Sequence, residues 1–529
     1  MRNNQLPGRS VVMSSGVMAA TSQPMATQVA LQIMRDGGNA LDAAIAASAT
    51  LSVVESHSSG IGGDCFILYH EASTGKLHAL NGSGRSPAAA TIEAMRERGH
   101  QSMPEIGILS VTIPGAIDAW HTANQSLGKL DFSALLQPAI NYAENGYVVS
   151  PVIAHNWKEF ESILAQTPEA SAAYLVDGKA PAAGTIHRQP DLARSLRLIA
   201  EQGRDVFYRG EISEEIVRFS QSHDGLMSLE DFAGHSSEWV DPISTDYRGY
   251  RVCEIPPNGQ GITTLMALNI LAQTNVADYE HLGVEHVHLL SEAFTLAMAE
   301  RDRFISDSVF NQLPIDEMLS DEIARQQFAR IRFDQALSQP VVSALPNHKD
   351  TVYLTVVDQE RNACSFINSV FRSWGSGLVA GNTGINLQNR GVGFTLEDGH
   401  FNQLEPHKRP MHTIIPAMVY QGDNPVLSFG VMGGQYQVMG QVYFLSNWID
   451  YGMDVQESLD AARFFLYDGE LSVEAGIPEN TRRALEKLGH RLIDASSPHG
   501  GGQAIFIDWR NGVLHGGSDP RKDGMAAGY

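Results

Sequence analysis

A chain of 529 residues with 43% hydrophobic and 18% charged residues has the composition of a folded globular protein, long enough to bury a large core. Its 37 lysines and arginines against 60 aspartates and glutamates leave a formal charge of −23, a surface that repels phosphate backbones and anionic lipid, so neither nucleic acid nor membrane is an expected partner. Three scattered cysteines, Cys65, Cys253 and Cys364, are too few for a disulfide framework or a zinc site and read as packed, reduced thiols.

The N-terminal stretch MRNNQLPGRSVVMSSGVMAATSQP has no unbroken apolar run of the length a secretory signal requires. No later run reaches the roughly 18 apolar residues of a membrane span, so the expected location is the cytoplasm. Met25, Val29 and Ile33 share one face of a predicted helix that Ser22 would cap, with Pro24 in its first turn and Gly37 at its end. Asn39 is the predicted cap of the next helix, ALDAAIAASATLSVVE, whose small residues permit close packing. GIGGD at 60–64 lacks the strand-to-GxGxxG-to-helix context of a dinucleotide site and reads as a tight turn. Strand runs follow at CFILYH and KLHALN.

Helical spacing recurs at 192–202, 284–304 and 481–488. His281, His286 and His288 lie close together, but there is no HExxH, and two histidines two apart do not share a helical face; no metal or other cofactor is expected. The polar, proline-containing stretch SQPVVSALPNHKD at 338–350 is the expected internal boundary, since an exposed loop tolerates cutting. Beyond it strand runs become dense: TVYLTVVD, ACSFINSV, TIIPAMVY, PVLSFGVM and QAIFIDW. HGGGQ at 499–503 reads as a turn, because the chain has no GxSxG elbow that would use it as an oxyanion loop.

Thr351 stands where the polar loop gives way to the first of these strands. A β-branched residue is at home at a strand start. A threonine at a newly made chain terminus, however, carries its own base: an α-amine with a reference pKa of about 7.7 to 8.0 is substantially neutral near physiological pH and can take the hydroxyl proton. From these residues alone, a structural threonine and a terminal nucleophile both stand.

The segment DTVYLTVVDQERNACSFINSVFRSWGSGLVAGNTGINLQNRGVGF resembles the small-subunit start of the gamma-glutamyltranspeptidase family, a branch of the N-terminal nucleophile hydrolases. The likeness continues in HKRPMHTIIPAMV, GVMGGQ and SDPRKDGMAAGY, and upstream in GGNALDAAIAA, ESHSSGIGGDCF, GSGRSPAAA, SVTIPGAIDAW and IPPNGQG. The resemblance implies an α+β fold, a four-layer αββα sandwich. Residues 1–350 and 351–529 would be the large and small subunits of one precursor, together one globular unit, with the Asp350–Thr351 bond cut autocatalytically. It puts the nucleophile at Thr351, a supporting hydroxyl at Ser369, the oxyanion-hole pair at Gly433 and Gly434, and a substrate-carboxylate ligand at Arg85.

Departures from the family pattern bear on substrate. Where glutathione-cleaving members place an asparagine, a glutamine and an aspartate around the glutamyl α-amino group, this chain has Phe371, Arg390 and Gly393, and His412 and Thr413 replace a serine pair near the carboxylate. Arg390 would repel an ammonium group. The resemblance implies an amidohydrolase or acyltransferase that cleaves γ-glutamyl compounds such as glutathione, or related small carboxylate-bearing amides, through an acyl-enzyme. The alternatives are an acylase or small-amide hydrolase, resembling cephalosporin acylases or oxamate amidohydrolases, that lacks γ-glutamyl specificity, and a catalytically silent binding module. The expected partners are a small amide and the two pieces of the precursor.

Overall fold

Along Val352–Val357 every side chain is buried, and the two faces of the strand enter different cores. Val352, Leu354 and Val356 pack with Ala44, Ile45, Leu136 and other helical residues. Tyr353 and Val357 pack with Met418, Ile505 and Leu514, which lie on other strands. A strand buried on both faces needs a layer on each side. The computed structural model, which describes residues 8–337 and 351–529, supplies them. The expected boundary at 338–350, and with it Asp350, lies outside the described residues.

One seven-stranded sheet runs, edge to edge, Met525–Gly528, Met18–Thr21, Val352–Val357, Ala363–Ser369, Asp64–Glu71, Lys76–Gly82 and Glu238–Val240. The other runs Val12–Ser14, Val513–Ser518, Gly501–Asp508, Asn424–Met432, Ala417–Gln421, Tyr250–Glu254 and Ile243–Tyr247. Neighbouring strands in both are antiparallel. The core shared by Tyr353, Met418 and Ile505 lies between the sheets. Helices including Pro24–Arg35, Ala40–Val54 and Phe132–Asn145 cover the outer face of the first sheet. Gly261–Leu271, Val284–Phe304 and Tyr436–Ile449 cover that of the second, against Leu427, Phe429 and Val431. This is the four-layer αββα sandwich expected from the sequence.

Most predicted elements form where the periodicity puts them. Val284–Phe304 is a single helix of 21 residues, and 192–202 and 481–488 fall inside Pro190–Gln202 and Glu479–Leu488. Asn39 caps Ala40–Val54 in a reciprocal capping box with Asp42, and all 15 residues of that alanine-rich helix are buried. Ser22 does not cap Pro24–Arg35: Gln23 holds the N-cap position, and the Ser22 hydroxyl donates instead to Glu55 Oε2 at 2.5 Å. TIIPAMVY becomes strand only from Ala417, since Pro416 has no N–H for the ladder. HGGGQ forms no turn, contrary to expectation: His499 and Gly500, whose φ is +61°, lead directly into the strand Gly501–Asp508. The three cysteines are free and buried. Among the described residues no helix is long and apolar enough to cross a membrane.

Both sheets are interleaved. In the first, Val352–Val357 pairs with Met18–Thr21, and Ala363–Ser369 with Asp64–Glu71; in the second, Ala417–Gln421 pairs with Tyr250–Glu254, and Val12–Ser14 with Val513–Ser518. Pieces from either side of 338–350 therefore cannot part without opening ladders and both cores. Protein cut at Thr351 is expected to run as two bands on a denaturing gel and as one species of undiminished mass in native sizing. Separated fragments in native sizing would contradict this architecture.

Candidate active site

Strand register brings the first two predicted residues together. Val352 stands opposite Asn368, so the next pair outward is Thr351 and Ser369. Their hydroxyl oxygens are 3.2 Å apart, and both residues are fully buried. Ser369 Oγ also accepts the Phe371 N–H at 2.9 Å, which fixes the serine rotamer toward the threonine.

The same strand sets what lies across the sandwich. Thr355 Oγ1 is 2.7 Å from Ser428 Oγ, and the Tyr353 ring packs on Gly430 so closely that a Cβ there would lie 2.4 Å from a ring carbon. One further step of two along both strands takes Thr351 to the end of Asn424–Met432, where Gly433 and Gly434 turn the chain into the helix Tyr436–Ile449. The turn requires glycine: φ is +124° at Gly433 and +57° at Gly434, and a Cβ on Gly433 would stand 2.9 Å from Gly500 Cα. Their carbonyls are occupied, Gly433 O by the Tyr436 N–H at 3.0 Å and Gly434 O by Gln260 Nε2 at 3.2 Å. Among the described residues neither glycine N–H has an acceptor. Two open donors at the positive end of a helix, one register step from Thr351, have the chemistry to receive a negative oxygen.

Arg390 opens the short turn Arg390–Gly393. It is completely buried. Nη1 donates to Thr413 Oγ1 at 2.8 Å, and the guanidinium lies over the Phe371 ring, 4.3 Å from its centroid. Nε and Nη2 have no partner among the described residues. Burial pulls its pKa down to about 9, with Asp64 acting in the other direction, so it remains a cation at neutral pH. Gly393 packs against the neighbouring segment, 2.8 Å from the Met411 carbonyl oxygen at its Cβ position. Gln260 ties Thr413 to the glycine turn, since its amide donates to Thr413 O at 2.8 Å as well as to Gly434 O.

Beneath these groups lies Asp64, fully buried and paired in register with Ser369. Oδ1 accepts from the N–H groups of Gly84 at 3.0 Å and Gly115 at 3.1 Å and from Gln388 Nε2 at 2.9 Å; Oδ2 is 3.0 Å from His412 Nε2. Burial alone would raise its pKa, but the hydrogen bond from His412 and the positive charge of Arg390 hold it below the ordinary value. His412 is the weaker competitor for a proton: burial and Arg390 pull it down to about 4 against the pull of Asp64. The pair is therefore a carboxylate accepting from a neutral imidazole N–H.

Seven of the residues singled out by sequence, Thr351, Ser369, Gly433, Gly434, Phe371, Arg390 and Thr413, are thus joined by contact or strand register. His412 turns away to Asp64. Arg85 belongs to a separate cluster: it donates to Glu238 at 2.7 Å, Asp307 at 3.2 Å and His407 O at 3.1 Å, and it shares Glu238 with Arg409. Sequence reasoning missed Asp64, Gln388 and Gln260. A signal for Asp64 was present, a lone carboxylate opening the apolar run CFILYH. Beside the site is a cleft of about 680 Å3 whose wall includes Arg372, Ser373 and Gly500; Gly500 abuts Gly433, and Arg372 follows Phe371.

Comparison with known proteins bears on the family and the fold. The gamma-glutamyltranspeptidase profile matches residues 26–529. The chain is 38% identical to the glutathione hydrolase-like YwrD proenzyme of Bacillus subtilis (strain 168), covering 98% of this chain and 99% of that one. It is 34% identical to the oxamate amidohydrolase proenzyme of Klebsiella pneumoniae subsp. pneumoniae, covering 97% and 98%. The crystal structure of a cephalosporin acylase from Bacillus halodurans superimposes with a TM-score of 0.93 at 40% identity, covering 99% of this chain and 98% of that one.

Asp64→Asn places an amide NH2 against donors that need an acceptor. It is expected to lower stability by on the order of 3 to 5 kcal/mol, measured by denaturant unfolding. Acid should act in the same direction. His412 stays neutral down to about 4 in the folded chain but takes a proton near 6.5 when unfolded, so stability falls as pH drops from about 6.5 toward 4. Retention of full stability in Asp64→Asn would rule out a supporting role for this carboxylate.

Proposed function

The chain belongs to the gamma-glutamyltranspeptidase family of autoprocessed N-terminal nucleophile amidohydrolases, and from that premise we propose that it hydrolyses a small amide whose acyl part carries a carboxylate, without recognising an α-ammonium group. The observation that carries this reading is Arg390: a fully buried guanidinium with two donors unpartnered among the described residues, linked to the Thr351 hydroxyl through Phe371 and Ser369. Two parallel N–H groups of one guanidinium fit the two oxygens of a carboxylate. The same charge repels an ammonium group, and Phe371 and Gly393 offer no side-chain acceptor for one. Arg85, already bonded to two carboxylates, serves in this reading to hold the outer wall, and the carboxylate falls to Arg390.

Maturation comes first. While the chain is uncut the Thr351 nitrogen is a peptide nitrogen and cannot act as a base. The Thr351 hydroxyl attacks the Asp350 carbonyl, the acyl group shifts from nitrogen to oxygen, and water hydrolyses the ester, leaving a new carboxylate at Asp350 and an amine at Thr351. In turnover that amine accepts the Thr351 hydroxyl proton as the oxygen attacks the substrate carbonyl. The N–H groups of Gly433 and Gly434 receive the oxyanion, a donor of this kind being worth about 2.7 to 4 kcal/mol. The proton passes to the leaving amine, and water then releases the acid from the ester. Ser369, hydrogen-bonded to Thr351 Oγ1, keeps the nucleophile oriented throughout.

The relatives' names favour the same class, since oxamate is itself a small amide bearing a carboxylate. The buried hydroxyl pair and the open N–H pair argue against a binding-only role. Thr351→Ala is expected to remain a single chain without activity. On processed protein, a glutaryl anilide should be cleaved at least as well as its γ-glutamyl counterpart in kcat/KM. Arg390→Gln should lower kcat/KM for the glutaryl compound about 100-fold, from the loss of charge-assisted hydrogen bonds worth about 3 kcal/mol, and leave a neutral butyryl anilide unaffected. A strong preference for the γ-glutamyl compound would overturn the substrate assignment.

A further inference from the structure

Away from the nucleophile, three buried side chains converge at the far end of the second helical layer. His288 and Glu292 are one turn apart on the helix Val284–Phe304, and His490 follows the helix Glu479–Leu488. All three are buried. His288 Nδ1 lies 2.8 Å from His490 Nε2, and Glu292 Oε1 lies 3.9 Å from the first nitrogen and 3.8 Å from the second. The point equidistant from the corners of a triangle with these sides is about 2.1 Å from each, the length of a zinc–imidazole or zinc–carboxylate bond.

The surroundings also suit a metal. His288 Nε2 is 2.8 Å from the Arg332 carbonyl oxygen, so that nitrogen carries the proton and Nδ1 turns its lone pair inward. A second ring nitrogen bonded to a carbonyl is the usual way a ligating histidine is oriented. Glu292 Oε2 accepts the Leu337 N–H at 3.1 Å, which leaves Oε1 directed at the imidazoles.

We infer that His288, Glu292 and His490 form a binding site for one divalent transition cation of the zinc class, with a solvent oxygen as fourth ligand, and that this cation staples the two pieces of the molecule together. The location gives the staple its purpose. His288 and Glu292 precede 338–350, and His490 lies beyond it. Leu337, which bonds Glu292, is the last residue described before the expected boundary, and the adjacent Ala336 N–H donates to Leu488 O at 2.7 Å. A cation here would cross-link segments from both sides of 338–350. The three side chains lie on the helix Val284–Phe304 and just beyond Glu479–Leu488, apart from the hydroxyl and N–H groups of the candidate active site, so the role is structural. The inference does not depend on the proposed activity.

The test uses full-length protein stripped with chelator, dialysed and titrated with Zn2+, with bound metal measured by mass spectrometry and melting temperature recorded in parallel. The wild type is expected to bind one equivalent with submicromolar Kd and to melt higher when loaded. Glu292→Gln and His490→Asn should each bind at least 100-fold more weakly and show no zinc-dependent shift. If one variant fails to fold, the other and the wild-type stoichiometry still decide. Less than about 0.1 equivalent on the wild type, or equal uptake by a folded variant, would overturn the site and leave a hydrogen-bonded histidine pair.

Discussion

The Asp64 carboxylate is the interaction on which the site depends. Burying a charge in a sandwich core is tolerable only when several donors surround it. Here the donors come from four separate segments, at Gly84, Gly115, Gln388 and His412. Each lies next to something the site needs. Gly84 precedes Arg85, and Gly115 begins the approach to the helix Ala116–Leu127. Gln388 lies two residues before Arg390, and His412 is followed by Thr413. Asp64 is itself the strand partner of Ser369, so the network that sets the substrate wall also sets the hydroxyl beside Thr351. Gly63 shows how tight the arrangement is: a Cβ there would lie 2.3 Å from Ser369 O.

Charge balance follows from the same residue. Arg390 keeps its proton in a fully buried position because Asp64 opposes the effect of burial and because the Phe371 ring face attracts the cation. His412, between the two, is left neutral. One negative and one positive charge therefore stand in a low-dielectric pocket with two guanidinium donors unspent. The desolvation of that guanidinium is met when the chain folds. In the proposed reading, a carboxylate arriving at Nε and Nη2 gains the hydrogen bonds without bearing that cost again, which is what preorganisation means for a binding site.

The fold was legible because period and punctuation agree. Alternation along Val352–Val357, the Asn39 capping box and the helical spacing of Val284–Phe304 are local signals, and local structure follows them. Ser22 misled because its hydroxyl had a stronger acceptor in Glu55, 33 residues away in sequence. The positions matched by resemblance converge for a reason the sequence carries, the two-residue step that aligns Thr355 with Ser428 and hence Thr351 with the Gly433 turn. Gln260 was not legible, and Asp64 only as a lone carboxylate opening an apolar strand, because what distinguishes both is burial and the partners they meet in three dimensions. The convergence of His288 with His490 across 202 residues was equally invisible; read by spacing alone, His288 belonged with His281 and His286.

Interleaving explains how such a pocket can survive a break in the chain right beside it. Thr351 precedes a strand flanked on both sides by neighbours, Met18–Thr21 and Ala363–Ser369, and covered on both faces. The chain's last residue is bound into the same structure: Tyr529 O accepts the N–H groups of Gly16 and Val17 at 3.1 Å each, and Arg35 stacks on its ring. Cutting before Thr351 thus leaves in place every ladder pair from Val352 onward. It converts one peptide nitrogen into an amine while the hydroxyl, the glycine turn and the arginine stay where the sheets hold them. A nucleophile at the start of a central strand can gain its base by a covalent change alone, because the geometry around it is fixed by the rest of the sandwich.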